Sequence, residues 1–204
     1  MNQYIEPIKT ALVFFPFVAL LITLPYMFVQ YRKYGAILLL RTAIIYSFVL
    51  YLMCAYFLVI LPLPDVEMVR GLTSPTVQLI PFNEVAELFS NPAVNLRDSS
   101  TWHKLVWCRG FFQIVANVAM LAPLGVYLRY YFGFSFRKTV LAAFLLSLFF
   151  ELTQLTGLYF LYPRPYRLAD VDDLITNTLG GMLGYWAAPL AMRVLPSKER
   201  MDAV

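Results

Sequence analysis

Residues Leu38 to Pro62 read LLLRTAIIYSFVLYLMCAYFLVILP. Arg41 is the one charged side chain in the stretch, and it stands near the start. An α-helix needs about 20 apolar residues to cross about 30 Å of hydrocarbon. It also satisfies its own backbone, as hydrocarbon demands. This stretch therefore reads as a membrane-spanning helix. Four more runs of similar length flank it, at residues 10–30, 110–132, 138–161 and 173–195. The first carries Pro16 and Pro25, and the third carries Pro123, which spans tolerate where neighbours satisfy the freed carbonyls. Glu6 beside Lys9 and the lack of an A-x-A site make the first run a retained helix rather than a cleaved leader. The fold class that follows is an all-α integral membrane protein, a polytopic bundle of about five transmembrane helices.

The whole composition agrees. Of 204 residues, 60% are hydrophobic and 14% charged, against about 25% charged in soluble domains. Seventeen Phe, fourteen Tyr and three Trp exclude general disorder. The net charge of +4 comes from bases at the ends of apolar runs. No continuous basic stripe forms, so a nucleic-acid partner is not expected. Cys54 and Cys108 make no disulfide framework.

Alternating loops give the orientation. Arg32, Lys33, Arg41, Arg129, Arg137, Lys138, Arg193, Lys198 and Arg200 fall on one side with only Glu199 and Asp202. On the other side acids outnumber bases. By the positive-inside rule the amino terminus is outside and the carboxyl terminus cytoplasmic. The organisation expected is an N-terminal helix and cytoplasmic loop (1–37), a main transmembrane domain (38–195) with a long outer loop (63–109), and a frayed cytoplasmic tail (196–204). Within the loop, VQLIPFNEVAELF (Val77 to Phe89) ends in a run with Val85, Leu88 and Phe89 at helical spacing, which Asn83 is placed to cap. This short amphipathic helix reads either as lying on the outer membrane surface or as a lid over the bundle.

Amide and charged side chains inside spans are costly and have partners or a task. The third run carries Gln113 and Asn117, and the fourth carries Ser147, Glu151 and Gln154 on one face. The fifth opens at Asp173 and continues through Asn177, Gly180, Gly181 and Gly184, with Arg167 and Asp170 just before it. At about 1.5 Å per residue, Asn117 lies roughly 10 Å below the outer face, Glu151 roughly 20 Å above the inner one, and Asn177 about 6 Å below its helix start. The shared level points to a polar pocket open to the outside, with Glu151 at its floor. A second reading stays open, in which Glu151 only joins helices through Asn117, Asn177 or Arg167. The glycines, with Pro123 and Gly125, read as helix-packing positions. Without a His or Cys cluster, no metal ligand set and no cofactor are assigned. Trp102 and Trp107 read as an interfacial aromatic belt, and the lone His103 beside Trp102 is not expected to be catalytic.

Four pieces carry a resemblance: LIPF (Leu79 to Phe82), NVAMLAPLG (Asn117 to Gly125), SLFFELTQ (Ser147 to Gln154) and RLADVDDLITNTLGGMLG (Arg167 to Gly184). In order and spacing, over residues 38–190, the pattern resembles the VanZ-like (teicoplanin-resistance) membrane proteins of bacteria. The family's motif positions map onto Asn117, Pro123, Gly125, Glu151, Gln154, Arg167, Asp170, Asp173, Asn177 and Gly180. Met120 stands where the family commonly has Phe. The resemblance implies a bacterial cell membrane and a role in lowered susceptibility to teicoplanin, a lipid-tailed glycopeptide that acts outside the cell.

The function expected is binding of an amphiphile, either a lipoglycopeptide such as teicoplanin or a cell-envelope lipid, in the outward pocket, with membrane lipids as further partners. Arg167 would meet an anionic headgroup, while Glu151, Asp170 and Asp173 order the site or meet a cationic group. The alternative is a membrane enzyme acting on a lipid-linked cell-wall substrate, with Glu151 or Asp173 as acid or base. A small transporter is a third reading, weakened by the lack of an inverted repeat.

Overall fold

The computed structural model describes residues 2–90, 98–197 and 201. In chain order it comprises helix α1 (Asn2–Tyr34), α2 (Leu39–Ile60), α3 (Val66–Arg70), strand β1 (Val77–Gln78), α4 (Asn83–Ser90) and a 3₁₀ helix (Ser99–Trp107). Then follow α5 (Arg109–Tyr130), α6 (Phe136–Leu155), a turn α7 (Gly157–Phe160), β2 (Ala169–Asp170) and α8 (Val171–Ala191). The fold is all-α, and its only sheet among the described residues is the two-residue parallel pair β1–β2. Four helices, α1, α2, α5 and α6, are long and apolar enough to cross a membrane. The fifth run forms α8, which at 21 residues is close in length to α2, α5 and α6. Asp172, Asp173, Asn177 and three glycines make it less apolar than its neighbours.

The chain divides into two compact units, Met1–Leu63 with Leu190–Val204, and Pro64–Pro189. In the first, α1 and α2 pair as an antiparallel hairpin turned at Gly35, whose φ of 70° is left-handed. Helix α1 runs through Pro7, Pro16 and Pro25 without interruption. Two polar links hold the pair. Gln30 accepts from the Leu38 N–H at 2.7 Å and donates to Thr42 Oγ1 at 3.1 Å, and the Thr23 and Tyr46 hydroxyls bond each other. Of the expected frayed tail, Lys198–Arg200 and 202–204 lie outside the described residues. Within it, the Met201 N–H bonds the Ser197 carbonyl and the Met201 side chain is buried.

In the second unit, α8 packs against α5 and α6 through glycines. A Cβ on Gly184 would fall on the Ala122 carbonyl, and one on Gly180 on the Val118 carbonyl. One on Gly125 would fall on the Gly181 carbonyl, and one on Gly181 on the Ala143 methyl. Backbone therefore meets backbone across α5 and α8, the close approach that small residues permit in membranes. Arg129 closes the other end, donating to the Tyr185 carbonyl at 2.9 Å with its guanidinium 4.4 Å from the Tyr185 ring.

Two boundaries differ from the sequence reading. Helix α6 stops at Leu155 rather than near 161, because Gly157, Leu158, Tyr159 and Phe160 all take positive φ and turn the chain left-handed. Thr156 anchors that turn by accepting the Tyr159 N–H at 3.1 Å. In α4, Asn83 is not the cap, since its amide instead donates to Glu87 at 3.2 Å. The cap comes from Asp172, ninety residues away in the chain from Phe82.

Candidate functional site

The site is built where α5, α6 and α8 meet the β1–β2 pair. Asn117 and Gln113, one turn apart on α5, both aim at Asp173 of α8. Asn117 Nδ2 donates to Asp173 Oδ1 at 2.5 Å and Gln113 Nε2 to the same oxygen at 3.3 Å. Asn117 also reaches Thr176 Oγ1 at 3.3 Å. On α6, Ser147, Glu151 and Gln154 are all buried, as their one-face spacing requires. Ser147 accepts from Asn177 Nδ2 at 3.0 Å. Glu151 Oε2 accepts the Asp170 N–H at 2.9 Å, so a helix carboxylate clips the β2 strand in place.

From there the carboxylates form a relay. Asp170 Oδ1 accepts the Asp172 N–H at 2.9 Å. Asp172 in turn accepts the Phe82 N–H at 2.5 Å and the Glu84 N–H at 2.8 Å, capping α4. A carboxylate at a helix N-terminus satisfies orphan donors and meets the positive end of the helix dipole. Glu84 then turns inward. It is 5% exposed, and neither of its carboxyl oxygens has a hydrogen-bond partner. Burial first, then the charges of Asp173, Asp170, Asp172 and Glu87, push its carboxyl up to about 8. Burial likewise raises Asp170, against the lowering effect of the Asp172 N–H. Among the described residues, no group of three or more His, Cys, Asp or Glu is arranged to hold a metal ion.

Arg167 is placed differently from the residues it was grouped with. It lines a hollow of about 200 Å³ with Ser74, Pro75, Pro165, Tyr166 and Leu168, a lining that includes none of Asn117, Glu151, Asp173 or Asn177. The Glu151 carboxylate instead bonds the backbone of Asp170, in the strand that follows the hollow's Leu168. Val77 pairs with Ala169 and Gln78 with Asp170. Arg164 fastens the same two loops, donating to the Ser74 carbonyl at 2.6 Å and to the Leu72 carbonyl. Burial raises Tyr166 beside the hollow, and the Arg167 charge partly offsets it.

A family model described as VanZ/LLP1 matches residues 48–192, most of the chain. The chain belongs to the VanZ/LLP1 family. The matched residues hold all of α5, α6 and β2, and α8 to its end, so every acid of the relay lies inside the VanZ/LLP1 region. No curated protein and no solved structure matches the chain.

Asp172 and Glu84 were missed from sequence. Both count as ordinary loop acids in a charge tally. The available signal for Asp172 was its place between two acids at the start of a helix. For Glu84 it was a carboxylate in the first turn of a short helix, one residue before Val85.

Proposed function

We propose that this VanZ/LLP1 protein binds an amphiphile at the end of the bundle where α5 and α8 begin. The ligand is a lipoglycopeptide such as teicoplanin or an anionic cell-envelope lipid. The observation that carries the reading is the hollow of about 200 Å³ lined by Arg167, Tyr166 and Ser74, at the rim of helices long and apolar enough to span a membrane. A guanidinium beside a phenol and a hydroxyl suits a carboxylate or phosphate headgroup, while an acyl tail lies along the apolar flank. Glu151 is a positioning residue in this reading. By holding the Asp170 N–H it fixes the strand that carries Arg167 three residues earlier. The chain then sits in a bacterial cell membrane with its amino terminus outside and its carboxyl terminus cytoplasmic, and glycopeptide resistance follows from capture of the drug at the surface.

The test is binding to purified protein in nanodiscs, with fluorescent teicoplanin in one arm and phosphatidylglycerol in the other. Arg167→Ala is expected to lose roughly tenfold or more in affinity for whichever probe the wild type binds, as removal of a charged hydrogen-bond donor does. Wild-type binding by Arg167→Ala removes the proposal.

A second reading is a membrane enzyme with Glu151 or Asp173 as acid or base. It is favoured by the two carboxylates lying within electrostatic reach of each other. Turnover of a lipid-linked substrate that Glu151→Gln abolishes would support it over simple binding.

A further inference from the structure

The α4 segment is amphipathic, yet it is seated the wrong way round for a lid. Its buried side chain is Glu84. Leu88 reaches the start of α5 beside Gly110, but the other large apolar side chains of the segment point away from the protein, with Leu79 74% exposed, Phe89 55% exposed, and Ile80, Phe82 and Val85 also uncovered. A helix packed onto a soluble core does the reverse.

Several backbone groups of the segment's irregular part are also hydrogen-bonded within the protein. Gln78 uses its amide twice, accepting the Ile80 N–H and donating to the Ile80 carbonyl, both at 2.6 Å. Pro81 carries no N–H, and Asp172 takes the N–H groups of Phe82 and Glu84. Internal satisfaction of irregular backbone is what a low-water environment requires.

Exposed apolar side chains also stand on the neighbouring long helix. Helix α4 lies against the first turn of α5, where a Cβ on Gly110 would meet the Glu84 carbonyl at 3.0 Å. On α5 itself Phe112 and Val115 are exposed, at the level where that span begins.

We infer that residues Leu79 to Phe89 are seated in the lipid of one leaflet as a shallow, non-spanning membrane segment, apolar face to the acyl chains and Glu84 toward the protein. The occupant of this surface is the bilayer. The inference stands apart from ligand binding at Arg167 and survives if that fails.

The experiment places an environment-sensitive nitrobenzoxadiazole label at Phe89→Cys or Ile80→Cys, with Cys54 and Cys108 replaced by Ser, in phosphatidylcholine vesicles. Glu67→Cys, on exposed α3, serves as the aqueous reference. Nitroxide carried on lipid acyl chains is expected to quench the label at Phe89 and Ile80 and spare Glu67, with aqueous iodide doing the opposite. Iodide quenching at Phe89 and Ile80 without nitroxide quenching overturns the inference. So does protection from both quenchers with cross-linking to a second protein chain. Because a labelled variant can misfold, the wild-type protein is also photolabelled with a diazirine carried on an acyl chain. Label recovered within residues 79–89 supports the inference, and label confined to the long helices contradicts it.

Discussion

The α1–α2 pair and the α5–α6–α8 group are both built from helices of membrane-crossing length, and they handle polarity in opposite ways. The first joins two highly apolar helices with neutral links, Gln30 to Thr42 and Leu38, and Thr23 to Tyr46. The second gives up hydropathy in α8 to bring carboxylates inward, and holds them by N–H donors from Asn117, Gln113, Asp170 and Asp172. Length and hydropathy suffice to make a span. A site needs polar groups whose partners come from other elements, because a buried charge without partners costs far more than a neutral amide.

The contrast is broken most severely at the α5–α8 contact. Gly184→Leu forces a side chain into the Ala122 carbonyl, and is expected to cost roughly 4 kcal/mol or more. Thermal unfolding in detergent and loss of monodisperse protein would read this. Next is Asp172→Ala, which frees two N–H groups of α4 and is expected to cost about 2–3 kcal/mol. Hydrogen exchange should speed up in residues 83–90 while α5 stays protected. Unchanged exchange there would deny the cap its role.

The pH dependence separates the regions further. Glu84 keeps its proton more tightly when folded, with its carboxyl at about 8 against an ordinary value near 4.5. The folded state therefore binds more protons than the unfolded one between those values, and stability falls as pH rises through that window. The unfolding temperature should decline from pH 5 to pH 9. Glu84→Gln should flatten part of the decline, leaving the part due to Asp170, which burial also raises. A profile unaltered by Glu84→Gln would show that the group is not buried as described. The smallest effect belongs to the hairpin. Gln30→Ala removes two neutral hydrogen bonds and is expected to cost about 1 kcal/mol, visible as a small drop in unfolding temperature with ligand binding untouched.

Much of this was legible in the sequence. Apolar run length gave the helices α1, α2, α5 and α6, and one-face spacing brought Ser147, Glu151 and Gln154 inward together. The shared level read for Asn117, Glu151 and Asn177 did not specify partners, and Asn117 meets Asp173. What sequence could not supply were partners made by backbone groups of distant segments. Glu151 bonds the Asp170 N–H rather than Asn117 or Asn177, and Asp172 caps a helix far away in the chain. Periodicity marks which face of α4 is apolar but not which way that face turns, and the structure turns Val85 and Phe89 outward while Leu88 reaches α5. The grouping of Arg167 with Glu151 rested on proximity in sequence to Asp170, whereas Arg167 lines a hollow whose lining does not include Glu151.

The most direct measurement compares wild type, Glu151→Gln and Glu151→Ala for binding of teicoplanin or phosphatidylglycerol in nanodiscs. Glu151→Gln keeps an oxygen to accept the Asp170 N–H and is expected to bind as wild type, whereas Glu151→Ala releases the strand and is expected to weaken binding roughly tenfold. Equal failure of both variants, or wild-type binding by both, would contradict a carboxylate that acts by holding the Arg167 strand in place.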